Sequence, residues 1–302
     1  MTWRSGGTTA RWTIETNKRE AYGLPRFEIE EMRYGLFTCP YQRLPLERAF
    51  ADAKAFGYDY IELWGGRPHA FAPDLLVGQL REVLRLQEQY EMPVEVYTPE
   101  HNTYPYNYML GSESQWRDAM DYLLRSLRCG RELGAQYTLI SVGHSGFMPA
   151  KARRERLCRS FRLLAEEAER LDHRIVIETL TPYETDHFTH AEDLKALLDE
   201  VGSGNLFGMC DVVVPFVQGE TAAHYVRVLG ARMVHLHLAD SDGVSDTHLL
   251  PGEGKIPFMG WLDELHACGY DGRATIELVT HYIDTPSEAA RQALESIRRM
   301  EA

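Results

Sequence analysis

The stretch RIVIETLTPYETDHFTHAEDLKALLDEVGSGNLFGMCD, residues 174–211, decides the fold. It opens on a short apolar run, Arg174–Glu178, crosses a polar loop and enters an amphipathic segment, His190–Val201. It closes on a second apolar run, Leu206–Asp211. Short apolar runs separated by a helical pattern read as strand, helix, strand, the unit that pairs its strands in parallel.

The same alternation continues in both directions. Upstream, strands are expected at Arg33–Cys39, Tyr60–Leu63, Val94–Tyr97 and Tyr137–Ser141. Helices are expected from near Pro45, from Pro73 to Tyr90, from Ser112 to Leu133 and from Ala150 to Leu171. Downstream come a helix from Thr221 to Leu229, strands Met233–Asp240 and Ala274–Leu278, and helices from near Phe258 and from Pro286 to Met300. Eight strands in strict alternation with eight helices predict an α/β fold, a (β/α)8 TIM barrel. Ser112 with Gln115 suits a capping box, and Thr285 before Pro286 suits a helix start. No linker rich in Gly, Pro or Ser divides the chain, so residues 32–302 are expected to form a single domain. Residues 1–31 are polar and aperiodic and read as an N-terminal extension, a poorly ordered tail.

Composition narrows the function classes. The net charge is −13, whereas a phosphate-backbone binder carries a basic face, so no nucleic acid and no anionic membrane surface is expected as partner. No apolar run approaches the roughly 20 residues that span a bilayer, and the opening residues lack a hydrophobic signal core. The five cysteines are odd in number, widely spaced and without a CxxC pair. They read as reduced thiols of a cytoplasmic enzyme.

Strand phase then selects a site. Barrel strands alternate between the interior and the helix layer. With the continuous aliphatic faces placed under the helices, Glu178, Asp211, His237 and Glu277 point into the barrel mouth. Each ends its strand, on the side where such barrels carry their active sites. Three carboxylates and one imidazole converging there repel without a cation, and burying unpaired charge costs several kcal/mol or more. A divalent metal resolves the conflict: Mn²⁺, with Mg²⁺, Co²⁺ and Zn²⁺ as alternatives. His235 should lie one layer deeper, as a hydrogen-bonded interior histidine. Glu62 ends strand two on the inward face, and His144 follows strand four in SVGHSG; both are candidate substrate contacts. Asp246 and His248 form a DxH pair in the long loop after strand seven. Trp64, Phe37, Tyr97 and Tyr104 are candidates for an apolar wall around the substrate.

Four local sequences carry a resemblance: ELWGGRPHAFAPDL (Glu62–Leu75), YTPEHNTYPYNYMLG (Tyr97–Gly111), IETLTPYET (Ile177–Thr185) and HLADSDGVSDTHLLPGEGKIP (His237–Pro257). They resemble the fructoselysine 3-epimerase family, within the xylose-isomerase-like barrel superfamily, over about Arg33 to Met300. The resemblance implies a metal-dependent isomerase that inverts C3 of a ketose, interconverting fructoselysine and psicoselysine through a metal-stabilised cis-enediolate. It implies a Glu–Asp–His–Glu metal set on Glu178, Asp211, His237 and Glu277, with Glu178 and Glu277 also moving the proton. It implies a substrate contact at Glu184, six residues after the first ligand.

Two positions depart from the ketohexose epimerases of that superfamily. Where those enzymes place a His after the metal Asp this chain has Val214, and where they place an Arg after the metal His it has Gly243. Both missing groups hold the carbonyl end of a free sugar, so an amino-acid-linked sugar with an amine at C1 suits the more acidic site. The alternatives are a free-ketose (allulose or tagatose) 3-epimerase or a sugar isomerase and, remotely, an endonuclease IV-like DNA-repair enzyme. Association into a homo-oligomer is expected from the exposed helices of such barrels.

Overall fold

The structure, a computed structural model, describes residues 32–101 and 105–301. The expected N-terminal extension and Tyr104 lie outside the described residues. Eight parallel strands close into one barrel in sequence order: β1 (Arg33–Phe37), β2 (Tyr60–Gly65), β3 (Val94–Pro99), β4 (Tyr137–Ser141), β5 (Ile175–Glu178), β6 (Leu206–Asp211), β7 (Met233–Leu238) and β8 (Arg273–Ile276). β8 pairs with β1, Arg33 opposite Arg273, and completes the ring. The principal outer helices are α1 (Leu46–Phe56), α2 (Leu80–Tyr90), α3 (Glu113–Glu132), α4 (Ala150–Arg170), α5 (Ala191–Val201), α6 (Ala222–Leu229), α7 (Phe258–Ala267) and α8 (Pro286–Glu301). None of the described helices is long and apolar enough to cross a membrane.

The outward faces of the strands and the inward stripes of the helices make one continuous apolar layer that includes Leu36, Leu63, Ile140, Ile177, Leu236 and Ile276. Burying each such side chain contributes about 1.5–3 kcal/mol. Inside the barrel a separate apolar plug forms from Tyr60, Val96, Tyr137, Leu139, Val176 and Met209. Gly35 faces this interior, where a Cβ would collide with the Tyr60 ring and the Thr275 hydroxyl. Below the plug, Glu95 accepts from both nitrogens of the Arg33 fork at 2.6 and 3.0 Å and from Arg273 at 2.5 Å. That cluster floors the N-terminal end of the barrel.

Several expected boundaries move, each for a local reason. The helix expected from Pro73 to Tyr90 is interrupted: Gly78 takes φ 146°, a wide turn spans Leu75–Gln79, and α2 begins at Leu80. Only a residue without a Cβ adopts that backbone readily, and the turn leaves Val77 85% exposed. β7 stops at Leu238 rather than Asp240, because Asp240 forms an antiparallel bridge with Leu249 and leaves the sheet. β8 stops at Ile276; Glu277 still donates its backbone N–H to Leu238 O at 3.0 Å, and a 3₁₀ turn follows at Thr280–Tyr282. A short helix, Val213–Val217, follows β6 and was not expected.

Candidate active site

Each carboxylate or imidazole of the mouth is the last inward residue of its strand or the one just beyond it. Glu178 ends β5 and Asp211 ends β6. Asp211 stands opposite His237 in the β6–β7 register, and Thr275 stands opposite His237 across to β8, with Glu277 two residues further on. Glu178 Oε1 lies 3.1 Å and Glu277 Oε2 lies 3.0 Å from the same atom, His237 Nδ1. Asp211 joins the group from the other side, through His248: His248 Nε2 is 3.1 Å from Glu277 Oε2 and 3.8 Å from Asp211 Oδ2. Asp211 Oδ1 is occupied by the Val213 backbone N–H at 3.0 Å.

The long loop after β7 delivers His248, and its aspartates explain its shape. Asp240 Oδ1 accepts from the N–H groups of Ser241 and Ile256, and Oδ2 accepts from that of Gly252. Gly254 packs against this carboxylate, where a Cβ would collide with it. Asp242 accepts from the N–H groups of Val244 and Ser245, the local turn that Asp favours. The loop is thus pinned at both ends, and His248 hangs over Glu277.

The electrostatics are those of a site built for positive charge. Burial would lower the His237 pKa, but Glu277, Glu62 and Glu178 outweigh it and hold the ring well above the ordinary histidine range. Burial opposes the His248 cation too, yet Glu277 and Asp211 hold its pKa up at about 10. Asp211 is pushed up to about 8 by burial and the Glu277 charge. Glu178 is raised, chiefly by burial. Glu277 goes the other way: burial is overcome by His237 and His248, and its pKa falls below the ordinary carboxylate range.

These residues fit a divalent ion. Ligand atoms of Glu178, His237 and Glu277 lie within 4.8 Å of one another, as do those of Asp211, His248 and Glu277. His237 Nδ1 and Glu277 Oε2 are buried, close to each other, and have no well-aligned hydrogen bond. Convergence without alignment is what a shared cation corrects, and an O-rich set with imidazole suits Mn²⁺, Mg²⁺, Co²⁺ or Zn²⁺. The structure therefore brings together the four residues selected by strand phase and adds His248.

The other expected contacts divide. Phe37 stands at the mouth, its ring centroid 6.1 Å from that of His237. Trp64 is the penultimate residue of β2, with Nε1 donating to Glu100 at 2.9 Å. Glu184, in the β5 loop, accepts from the N–H and hydroxyl of Thr181; burial and then Asp246 push its pKa up to about 8. Glu62 is corrected. It is fully buried beneath His237, and His235, His237 and Thr98 occupy both its oxygens, which leaves none for a substrate. His144 is turned into its own loop, accepting the Gly146 N–H at 2.9 Å and lying 3.6 Å from Asp186. Tyr97 is also corrected: it faces the helix layer, buried, with its hydroxyl on Ala70 O at 2.8 Å. β3 presents Thr98 to the interior instead, which a count of strand phase from Val96 would have found.

Residues 50–300 match the family described as xylose isomerase-like TIM barrel. The fructoselysine 3-epimerase of Shigella flexneri is 46% identical over 270 residues, covering 89% of this chain and 98% of that protein. Among solved structures, 3-keto-D-glucoside 4-epimerase from E. coli superposes with a TM-score of 0.74 at 19% identity, covering 89% of this chain and 100% of that one. The D-psicose 3-epimerase from Clostridium cellulolyticum H10, solved with D-tagatose, gives 0.72 at 17%, covering 89% and 99%. These two share the fold. The chain belongs to the xylose isomerase-like TIM barrel family and, within it, to the family of the fructoselysine 3-epimerases.

Proposed function

We propose that this chain is a metal-dependent ketose 3-epimerase whose substrate is fructoselysine and whose product is psicoselysine. One observation carries the reading: Glu178 and Glu277, from strands three apart in the ring, reach the same imidazole nitrogen at 3.1 and 3.0 Å. Inverting a carbon that bears a weakly acidic hydrogen needs one group to remove the proton and another to return it on the opposite face. Two carboxylates facing each other across a site meet that need, and general acid–base catalysis of this kind contributes about 10²–10⁴-fold. Their environments push their pKa values apart, Glu178 up and Glu277 down, as a pair of unlike protonation requires. A divalent ion at Glu178, Asp211, His237 and Glu277, Mn²⁺ in this proposal, would act as a Lewis acid on the ketose oxygens. Phe37 and Trp64 would wall the sugar. Glu184 and Asp246 place two buried carboxyl groups beside the site, held toward the neutral form by burial, and a cationic amine at C1 of the substrate would favour their ionisation. The 46% identity to a fructoselysine 3-epimerase supports the same substrate.

A cytoplasmic setting fits the five unpaired cysteines. Association into a homo-oligomer through the outer helices is part of the same proposal, and light scattering tests it. The deciding experiment for the reaction is incubation with Mn²⁺ and fructoselysine in D₂O, following C3–H by NMR. Loss of that signal with appearance of the C3 epimer supports the reading. Exchange of allulose or tagatose instead would keep the chemistry and replace the substrate, and no exchange on any ketose would overturn it.

A further inference from the structure

Beneath the mouth, one carboxylate serves two histidines. Glu62 Oε2 lies 2.8 Å from His235 Nε2, and Glu62 Oε1 lies 3.0 Å from His237 Nε2. The Thr98 hydroxyl donates to the same Oε1 at 2.6 Å. Glu62, His235 and His237 are each at most 1% exposed, so water does not compete for these bonds. An ionised carboxylate only accepts, so both ring Nε2 atoms must carry the proton and donate. Both Glu62 oxygens are thereby engaged, and the residue comes from β2, which supplies none of the four residues that converge above it.

We propose that Glu62 is a positioning residue for the metal centre. By taking the Nε2–H of His237 it fixes which ring nitrogen is left to bind, and it aims Nδ1 between Glu178 and Glu277. Nδ1 is the buried atom left without an aligned hydrogen bond. Nδ1 is thus aimed at the cation's place before the cation arrives, and it gives up its proton when the cation binds. A carboxylate behind a ligating imidazole also raises the basicity of the ring, and losing such a partner typically costs about 10–100-fold in metal affinity. His235 has a different part. It holds the second oxygen of Glu62 and so stops the carboxylate from rotating, without itself reaching the mouth. The inference rests on the residues that hold the metal and not on the identity of the sugar.

Two measurements test it, neither of which is turnover. The first is the Mn²⁺ dissociation constant, by calorimetry, of wild type, Glu62→Gln and His235→Gln, beside the melting temperature of each metal-free protein. The expected result is an affinity about 10–100-fold weaker in Glu62→Gln and within about threefold of wild type in His235→Gln. Affinity unchanged in Glu62→Gln would overturn the proposal. So would equal losses in both variants that track their melting temperatures, because that pattern belongs to a merely structural carboxylate. The second measurement needs no variant and stands if Glu62→Gln does not fold. In ¹⁵N-histidine-labelled wild type loaded with diamagnetic Zn²⁺, His237 should show a slowly exchanging proton on Nε2 and none on Nδ1. A proton on Nδ1 with bare Nε2 would sink the assignment, as would failure of wild type to bind any divalent ion.

Discussion

Glu178 and Glu277 share an imidazole nitrogen, so their separate duties can be told apart only by the two faces of the substrate. Glu178→Gln and Glu277→Gln should each lower epimerisation by about 10²–10⁴-fold. Each variant keeps one base, so solvent deuterium should still wash into C3 of one epimer, and the surviving epimer should differ between the two variants. Wash-in lost equally from both epimers in both variants would show that these carboxylates only hold the ion. The four residues that converge at the mouth were legible from strand phase alone because four strands in succession place a polar residue opposite an aliphatic face. Glu62 was placed on the correct face but given the wrong neighbour. Phase says which way a side chain points, not how deep it sits, and the two histidines above and beside Glu62 claim its oxygens first. His144 is a different case: its Nδ1 is engaged within its own loop through Gly146 and Asp186, which no periodicity records.

Local signals placed the elements well where one residue type enforces the boundary. Ser112 accepts from the Gln115 N–H while Gln115 accepts from the Ser112 N–H at 2.7 Å, the reciprocal cap expected at the start of α3. Ser112→Ala should lower stability by about 1 kcal/mol, read by urea unfolding of the metal-free protein. A change below a few tenths of a kcal/mol would mean the cap is replaced by water at no cost. α4 and α7 begin where expected, and β4 and β6 match end to end, because an apolar run bounded by polar residues leaves little freedom. The break at Gly78 was missed, since an isolated glycine in an amphipathic pattern reads as a tolerated helix residue. The Val213–Val217 helix was missed because it lies within an apolar stretch too short to show a period.

At the scale of the whole barrel, buried histidines tie stability to pH. His101 and His173 are held neutral, their pKa values lowered by burial to about 4. Below the ordinary value of 6.5 the unfolded chain takes up protons that the native chain refuses. Stability should therefore be full above about pH 6.5 and fall as the pH drops toward about 4, by on the order of 1–3 kcal/mol for each histidine. Among the described residues, the His173 ring bonds only Thr138, at 2.9 Å, so His173→Gln is the variant to compare. Its melting temperature, measured without metal, should decline less steeply than wild type over that range. Superimposable profiles would remove His173 from the account.

The barrel is closed below and open above. Arg33, Glu95 and Arg273 form the floor, and the plug from Tyr60 to Met209 seals the middle. On the proposed function, ion and sugar would share the open end, and traffic through it would have an order: the last to enter is the first to leave. A seated sugar should act as a lid on the ion, so a chelator should strip Mn²⁺ more slowly from protein saturated with substrate than from protein alone. Equal stripping rates would mean that the ion has a second exit.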